Sequence, residues 1–241
     1  DAFNKIAYLS SDKLPGLRIF DATNGVSPIL ISYGNGFDAG SALNDVDVVN
    51  DSGKLYAYVA ADHSVTDMSC PGVNKSWNNQ FRVIDVTDMH NPTSANPQVL
   101  TLNNVDKCGS YPAGWRIFYF KDRVYISTRE TAGREFHVID VSDPTSPSEV
   151  GPGYEANRTI NDLVVTEQMY GGTKSRIAYM ATSASSSELT VLNVTDPTSI
   201  TEITQASQNL PGDQNGESVY LVGNRLYFGR ASSSGDDMYI F

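Results

Sequence analysis

Cysteine is nearly missing from this chain: two residues in 241, Cys70 and Cys108, with no Cys-x-x-Cys pair. Thioredoxin-like redox chemistry and a structural zinc framework therefore lack support. Basic residues are scarce too, 17 Lys plus Arg against 28 Asp plus Glu, for a net charge of −11. They are scattered singly, which argues against nucleic acid, because a phosphate-binding face needs clustered cations. No apolar run approaches the roughly 18 residues of a membrane span. No segment sustains a helical period. Histidine is limited to His63, His90 and His137, in different segments and without metal-ligand spacing. No Gly-x-Ser-x-Gly element anchors a Ser–His–Asp triad.

What is present is a recurring phrase. Leu17-Arg18-Ile19-Phe20-Asp21, Phe81-Arg82-Val83-Ile84-Asp85, Phe136-His137-Val138-Ile139-Asp140 and Leu189-Thr190-Val191-Leu192-Asn193 share one pattern, and Met238-Tyr239-Ile240-Phe241 begins a fifth copy. The Asp/Asn slot falls at 21, 85, 140 and 193, a period of about 50 to 55 residues with one enlarged unit. Before each copy stands an apolar strand with a tyrosine at its centre: Tyr8, Tyr58, Tyr125, Tyr179 and Tyr227. Before four of these lies a further strand, at 45–49, 115–120, 163–166 and 218–222. Turn residues such as Ser52-Gly53, Lys121-Asp122 and Gly223-Asn224 join the two as hairpins. After each Asp slot a Pro- or Ser-containing turn leads to a weaker strand, at 29–32, 98–102, 148–150 and 200–203.

The unit is four antiparallel strands, a to d, and units span approximately 1–34, 42–103, 114–151, 159–205 and 216–241. A lone four-stranded sheet cannot bury both faces, whereas sheets stacked around an axis can. The expectation is an all-β protein, a β-propeller of four-stranded blades with the first and last units incomplete. A β-sandwich is the alternative, but it does not require the same phrase five times. Strand a is missing from the first unit and strand d from the last. The chain then reads as a five-bladed ring with two thin blades or an excerpt of a longer propeller, and the stop at Phe241 favours the excerpt.

The stretch from Phe136 through Asp140-Val141-Ser142-Asp143-Pro144 to Pro147 closely resembles the LVIVD-repeat family of secreted or surface β-propellers of bacteria and archaea. The copies at Phe81 and Leu189 follow it nearly as well, while the first departs at Ala22-Thr23-Asn24-Gly25. The resemblance implies an extracellular scaffold for binding or adhesion and supplies no catalytic residue.

In this arrangement the a–b and c–d turns share one face and the b–c and d–a loops the other. Cys70 falls in a b–c loop and Cys108 in the following d–a loop, on one face of one unit. A disulfide between them would add about 4 kcal/mol in the chain-entropy model and would persist only in an oxidising compartment. The location expected is therefore extracellular or cell-surface. The same face carries the long, non-repeating loops, where function usually sits. Their candidate ligand-binding residues are Phe37, Asp38, Trp77, Tyr111, Tyr154 and Arg158, with Asp213 and Gln214 nearby. Aromatic platforms beside amides and carboxylates suit a glycan, peptide or surface ligand. The competing reading is that Trp77 and Tyr111 cover the disulfide and plug the loop.

The Asp slot residues Asp21, Asp85, Asp140 and Asn193 are read as turn-formers bonding nearby backbone N–H groups, in preference to metal ligands. Asp45-x-Asp47 beside Asn50, Asp51 and Ser52 offers oxygens for Ca²⁺, but EF-hand spacing is absent, so no cofactor is assigned. Three functions compete: a non-enzymatic binding or adhesion module, a self-associating building block of a filament or coat, and a propeller-scaffold hydrolase or lyase. The third requires converging carboxylates or a histidine pair at the axis.

Overall fold

The computed structural model describes residues 5–13, 15–32, 36–37, 41–62, 64–65, 76–77, 79–103, 113–184, 186–212, 214–231 and 236–241, with backbone only at 64–65, 76–77 and 95–98. Five antiparallel sheets follow one another along the chain. The first holds β1 (Ile6–Ser10), β2 (Leu17–Asp21) and β3 (Ile29–Leu30). The second holds β4 (Ala42–Asp51), β5 (Lys54–Asp62), β8 (Phe81–Asp85) and β9 (Thr93–Leu100). Its b–c loop contains a small hairpin of β6 (Ser64–Val65) and β7 (Ser76–Trp77), which the repeat pattern did not announce. The third comprises β10 (Gly114–Phe120), β11 (Arg123–Thr128), β12 (Phe136–Asp140) and β13 (Ser148–Glu149). The fourth comprises β14 (Ile160–Tyr170), β15 (Thr173–Thr182), β16 (Leu189–Asn193) and β17 (Thr201–Glu202). The last holds β18 (Gly216–Val222), β19 (Arg225–Arg230) and β20 (Met238–Ile240). The architecture is a five-bladed β-propeller with smaller first and last blades.

Local chemistry explains the repeat. Ser52-Gly53 and Gly171-Gly172 sit between paired residues with positive φ, as two-residue hairpin turns between twisted strands require. At each Asp slot the side chain accepts the N–H two residues on: Thr23, Thr87 and Ser142 donate to Asp21, Asp85 and Asp140, and Thr195 to Asn193. A second turn of the same kind follows where Asp88, Asp143 and Asp196 take the N–H of His90, Thr145 and Thr198. The slot is therefore a turn-former.

Burial explains the stacking. In β5 every residue from Tyr56 to Ala61 is buried, because blades press on both its faces. In β1 of the first blade burial alternates instead, with Ala7 and Leu9 exposed. Each internal core is built from one face of a blade and the opposite face of the next. Tyr58 and Val83 meet Ile117, Val124 and Ile139; Tyr125 and Val138 meet Leu163, Val165 and Ala178; Val164 and Val191 meet Val219, Leu226 and Phe228.

Innermost strands β4, β10, β14 and β18 pack against one another in that order. Each has a β-bulge at its start: Leu43/Asp45, Gly114/Arg116, Ile160/Asp162 and Gly216/Ser218. The bulge turns the following carboxylate toward the next blade. Asp45 accepts the N–H of Ile117 at 2.9 Å, Asp47 that of Tyr119 at 2.7 Å, and Asp162 that of Val219 at 2.9 Å. These donors lie on the free edge of an innermost strand, which has no strand partner on that side. The preceding amides, Asn44 and Asn161, donate to the carbonyls of Gly114 and Gly216 at 2.7 Å each. Only glycine fits there: a Cβ on Gly114 would lie 2.2 Å from the Gln80 carbonyl oxygen, and one on Gly216 2.7 Å from that of Glu188.

Candidate functional site

The b–c and d–a loops form one end of the propeller, as the strand order requires. Their bases are tied down by a repeated device. A residue just before strand c, Gln80, Glu135 or Glu188, is buried and accepts backbone N–H groups from the d–a loop of its own blade. Leu102 donates to Gln80, Ala156 and Asn157 to Glu135, and Leu210 to Glu188. Burial, with the neighbouring Glu155 adding to it, pushes the Glu135 carboxyl up to about 7, against its N–H donors.

Three loop residues share a second position. Phe37 bridges to Leu17, Tyr154 to Phe136 and Gln208 to Leu189, so each d–a loop folds back onto the first residue of strand c. Phe37 packs partly buried against the core of the first two blades. Tyr154 packs against the third–fourth core, and its hydroxyl donates to Glu202 at 3.2 Å. Burial and that carboxylate push the phenol up to about 12. Arg158 donates from Nε to the Ala156 carbonyl at 2.7 Å. The structure does not bring Phe37 together with Tyr154 and Arg158, which belong to different blades. Asp38, Tyr111, Asp213, the Trp77 side chain, and Cys70 with Cys108, lie outside the described residues.

The structure gathers a group that the sequence reading passed over. Trp115 follows Gly114 at the bulge that opens β10. The Arg129 guanidinium carbon stands 3.9 Å from its ring centroid and that of Arg116 4.9 Å. The Glu130 N–H donates to the Thr159 hydroxyl at 3.1 Å, which brings the segment after Arg129 against the one after Arg158. Arg116 is held by the Asn161 carbonyl through Nε at 2.8 Å, while Arg129 is exposed. Trp115 Nε1 is buried without a hydrogen-bond partner among the described residues. In a chain of net charge −11 this is a local concentration of guanidinium groups around an aromatic ring. Its only sequence signal is Trp115-Arg116 at the register where blades two and four carry Asn-Asp.

At the axis Asp45 and Asp162 flank Arg116 closely enough for their charges to interact. Burial raises both carboxyls, and Asp47 with them, against the pull of their backbone donors. Each of Asp45 and Asp162 already holds a second N–H through its other oxygen, from Val46 and Leu163. Among the described residues no group of three or more His, Cys, Asp or Glu side chains is placed to hold a metal, and no helix is long and apolar enough to cross a membrane.

A computationally designed protein, Ika4, is similar over 83% of this chain and 91% of its own, at 10% identity and a TM-score of 0.43. A xylan β-1,4-xylosidase from Bacillus halodurans covers 98% of this chain at 11% identity and a TM-score of 0.43, and the GH43 BlXynB protein from Bacillus licheniformis covers 98% at 11% and 0.42. The chain spans about half the length of those two, 49% of each. None of these likenesses bears on what this chain does. No curated protein sequence matches it. A family model described as the LVIVD repeat matches residues 131–152, the stretch that runs through β12 and β13. The chain is thus a β-propeller whose third blade carries an LVIVD repeat.

Proposed function

We propose that this protein is a non-enzymatic binding or adhesion module of the cell exterior, acting through the b–c and d–a loop face. The observation that supports it most is the Trp115–Arg129 stack, with Arg129 exposed and the half-buried Arg116 on the same ring, a cationic spot on an acidic scaffold. Guanidinium groups held by an aromatic face suit carboxylate- or sulfate-bearing glycans and acidic peptides. A hydrolase would need axial carboxylate oxygens turned to substrate, whereas the oxygens of Asp45 and Asp162 already hold backbone N–H groups of their own and the next blade. A glycan and peptide array, followed by titration of any hit, tests the reading. The Arg129→Ala variant should lose at least about tenfold in affinity, the worth of one charge-assisted contact. Unchanged binding in Arg129→Ala, Trp77→Ala and Tyr111→Ala alike would remove the face from consideration.

A second reading, self-association as a building block, is favoured by the last blade. Tyr220, Met238 and Ile240 are 68%, 62% and 56% exposed on the face that in internal blades meets a neighbour. Sedimentation that stays monomeric across a hundredfold concentration range would count against it.

A further inference from the structure

A cleft between the second and third blades, at the turn face opposite the loops, has an internal template for its ligand. The residue just before the b-strand's first paired position gives its carbonyl to the valine after the Asp slot in each internal blade. Leu55 receives the N–H of Val86, Asp122 that of Val141, and Arg176 that of Val194. Leu55, Asp122 and Arg176 are therefore structural equivalents. So are Tyr58 and Tyr125, which pair with Val83 and Val138.

At the third–fourth interface Arg176 fills the space. Its guanidinium lies against the Tyr125 hydroxyl and donates to Asp122 at 3.0 Å, with Glu167 3.7 Å away. At the second–third interface the equivalent residue is Asp122 itself, shorter and turned toward Arg176. What remains is a cleft of about 250 Å³ lined by Asp51, Tyr58, Tyr119, Lys121, Asp122 and Ser142, with Val141 at its side.

Tyr58 makes this more than an acidic surface. It is only 1% exposed, stacked on Tyr119 at 5.6 Å, and its hydroxyl has no hydrogen-bond partner among the described residues. Among the described lining residues the one cation is already engaged: Lys121 reaches Glu167 at 2.7 Å, and Glu167 is also held by Lys174 at 2.6 Å. Together they pull the Glu167 carboxyl down to about 2. The Ser142 hydroxyl donates to Asp140 at 2.7 Å, which leaves its oxygen to accept.

We propose that this cleft binds an alkylguanidinium group, the side chain of an arginine presented by a peptide or protein. It takes the place that Arg176 occupies one interface further on. Asp51 and Asp122 accept its N–H groups, the Tyr58 and Ser142 oxygens complete the set, and the Tyr58–Tyr119 pair receives the planar group on its apolar side. Such planar charge-assisted recognition favours arginine over lysine.

The test is calorimetric titration of the whole chain with N-acetyl-arginine methylamide, with the lysine and citrulline analogues as comparators. Saturable binding at one site is expected, with the neutral citrulline analogue weaker by at least about tenfold. Asp51→Asn, an exposed turn substitution, should weaken the arginine probe to a similar degree without moving the unfolding midpoint. Tyr58→Phe, checked for an unchanged fold by circular dichroism, should weaken it several-fold. Absence of saturation by the arginine probe, or equal affinity in wild type and Asp51→Asn, would overturn the proposal. Loss of loop-face binding in Arg129→Ala leaves this titration unaffected, so the two readings fail separately.

Discussion

The second–third and third–fourth blade interfaces are built on the same phrase and joined by different chemistry. At the first, carboxylates of the earlier blade take backbone N–H groups of the later one: Asp45 and Asp47 hold Ile117 and Tyr119. At the second the equivalent of Asp45 is Arg116, a donor, so the polarity is reversed and it seeks the Asn161 carbonyl instead. Leu163, left without a carboxylate from behind, is served by its own neighbour Asp162. Toward the loops, Glu149 takes the Asn103 N–H at 2.6 Å, while its counterpart Glu202 takes the Tyr154 hydroxyl at 3.2 Å. Toward the turns, one interface leaves a cleft and the other is closed by Arg176. Apolar pattern decides that blades stack; the polar residues at a few registers decide how firmly each pair is joined.

The most severe way to break the contrast is through His137. It is fully buried against Glu149, itself 1% exposed, with Nδ1 2.6 Å from the carboxylate and Nε2 2.9 Å from the Arg134 carbonyl. A carbonyl only accepts, so Nε2 carries hydrogen and Nδ1 faces the carboxylate. Removing the ring strands a buried carboxyl. His137→Ala should cost about 3–5 kcal/mol in urea unfolding. Thr190→Ala, the same position in the fourth blade, should cost about 1 kcal/mol or less.

Next comes the axial clasp. Asp47→Ala leaves the Tyr119 N–H uncapped on a strand edge and should cost about 1–3 kcal/mol by the same measurement. Asp47→Asn, which keeps an acceptor, should cost less. Arg176→Ala sharpens the comparison from the other side. Being a partly exposed ion pair, it should cost about 1 kcal/mol. By opening a second cleft beside Tyr125 it should raise the stoichiometry of the arginine probe from one to two.

The last prediction concerns pH. Glu135 titrates at about 7 in the folded protein, above its ordinary 4.5, chiefly because it is buried. In that interval the folded state binds a proton that the unfolded state has released, so stability falls as pH rises from about 4.5 to about 7 and then levels. Glu155→Gln removes the neighbouring charge and should shrink that slope, read from thermal midpoints across the interval.

The sheets were legible because strand pairing obeys local rules. The Asp slot, the glycine turns and the tyrosine-centred strands name every blade, and the slot residues form the turns their chemistry suggests. The innermost strands run longer than the stretches 45–49 and 163–166 read from the sequence, since Ala42–Leu43 and Glu167–Tyr170 also pair with the second strand of their blades. The inter-blade joints were harder to read. The Asn44-Asp45 and Asn161-Asp162 dipeptides are visible as a repeat, but a bulge aims them across the interface, and a bulge has no signature in residue type. Phe37 and Tyr154 stand out as loop aromatics, yet they occupy the same bridge position as Gln208, so packing as well as recognition fixes what they are. Trp115 reads as a strand residue until Arg129 is seen over its ring.

The carboxylate clasp also gives the array a direction. Asp45 and Asp47 complete the blade that follows them, and Asp162 does the same for its successor, like roof tiles each lapped over the next. During synthesis from the N-terminus, the exposed edges of the third and fifth inner strands meet acceptors already in place as they emerge, while that of the fourth does not. A truncation that takes away the second blade strips the third of its caps, whereas one that takes away the fifth frees a single oxygen of Asp162, the other still holding Leu163.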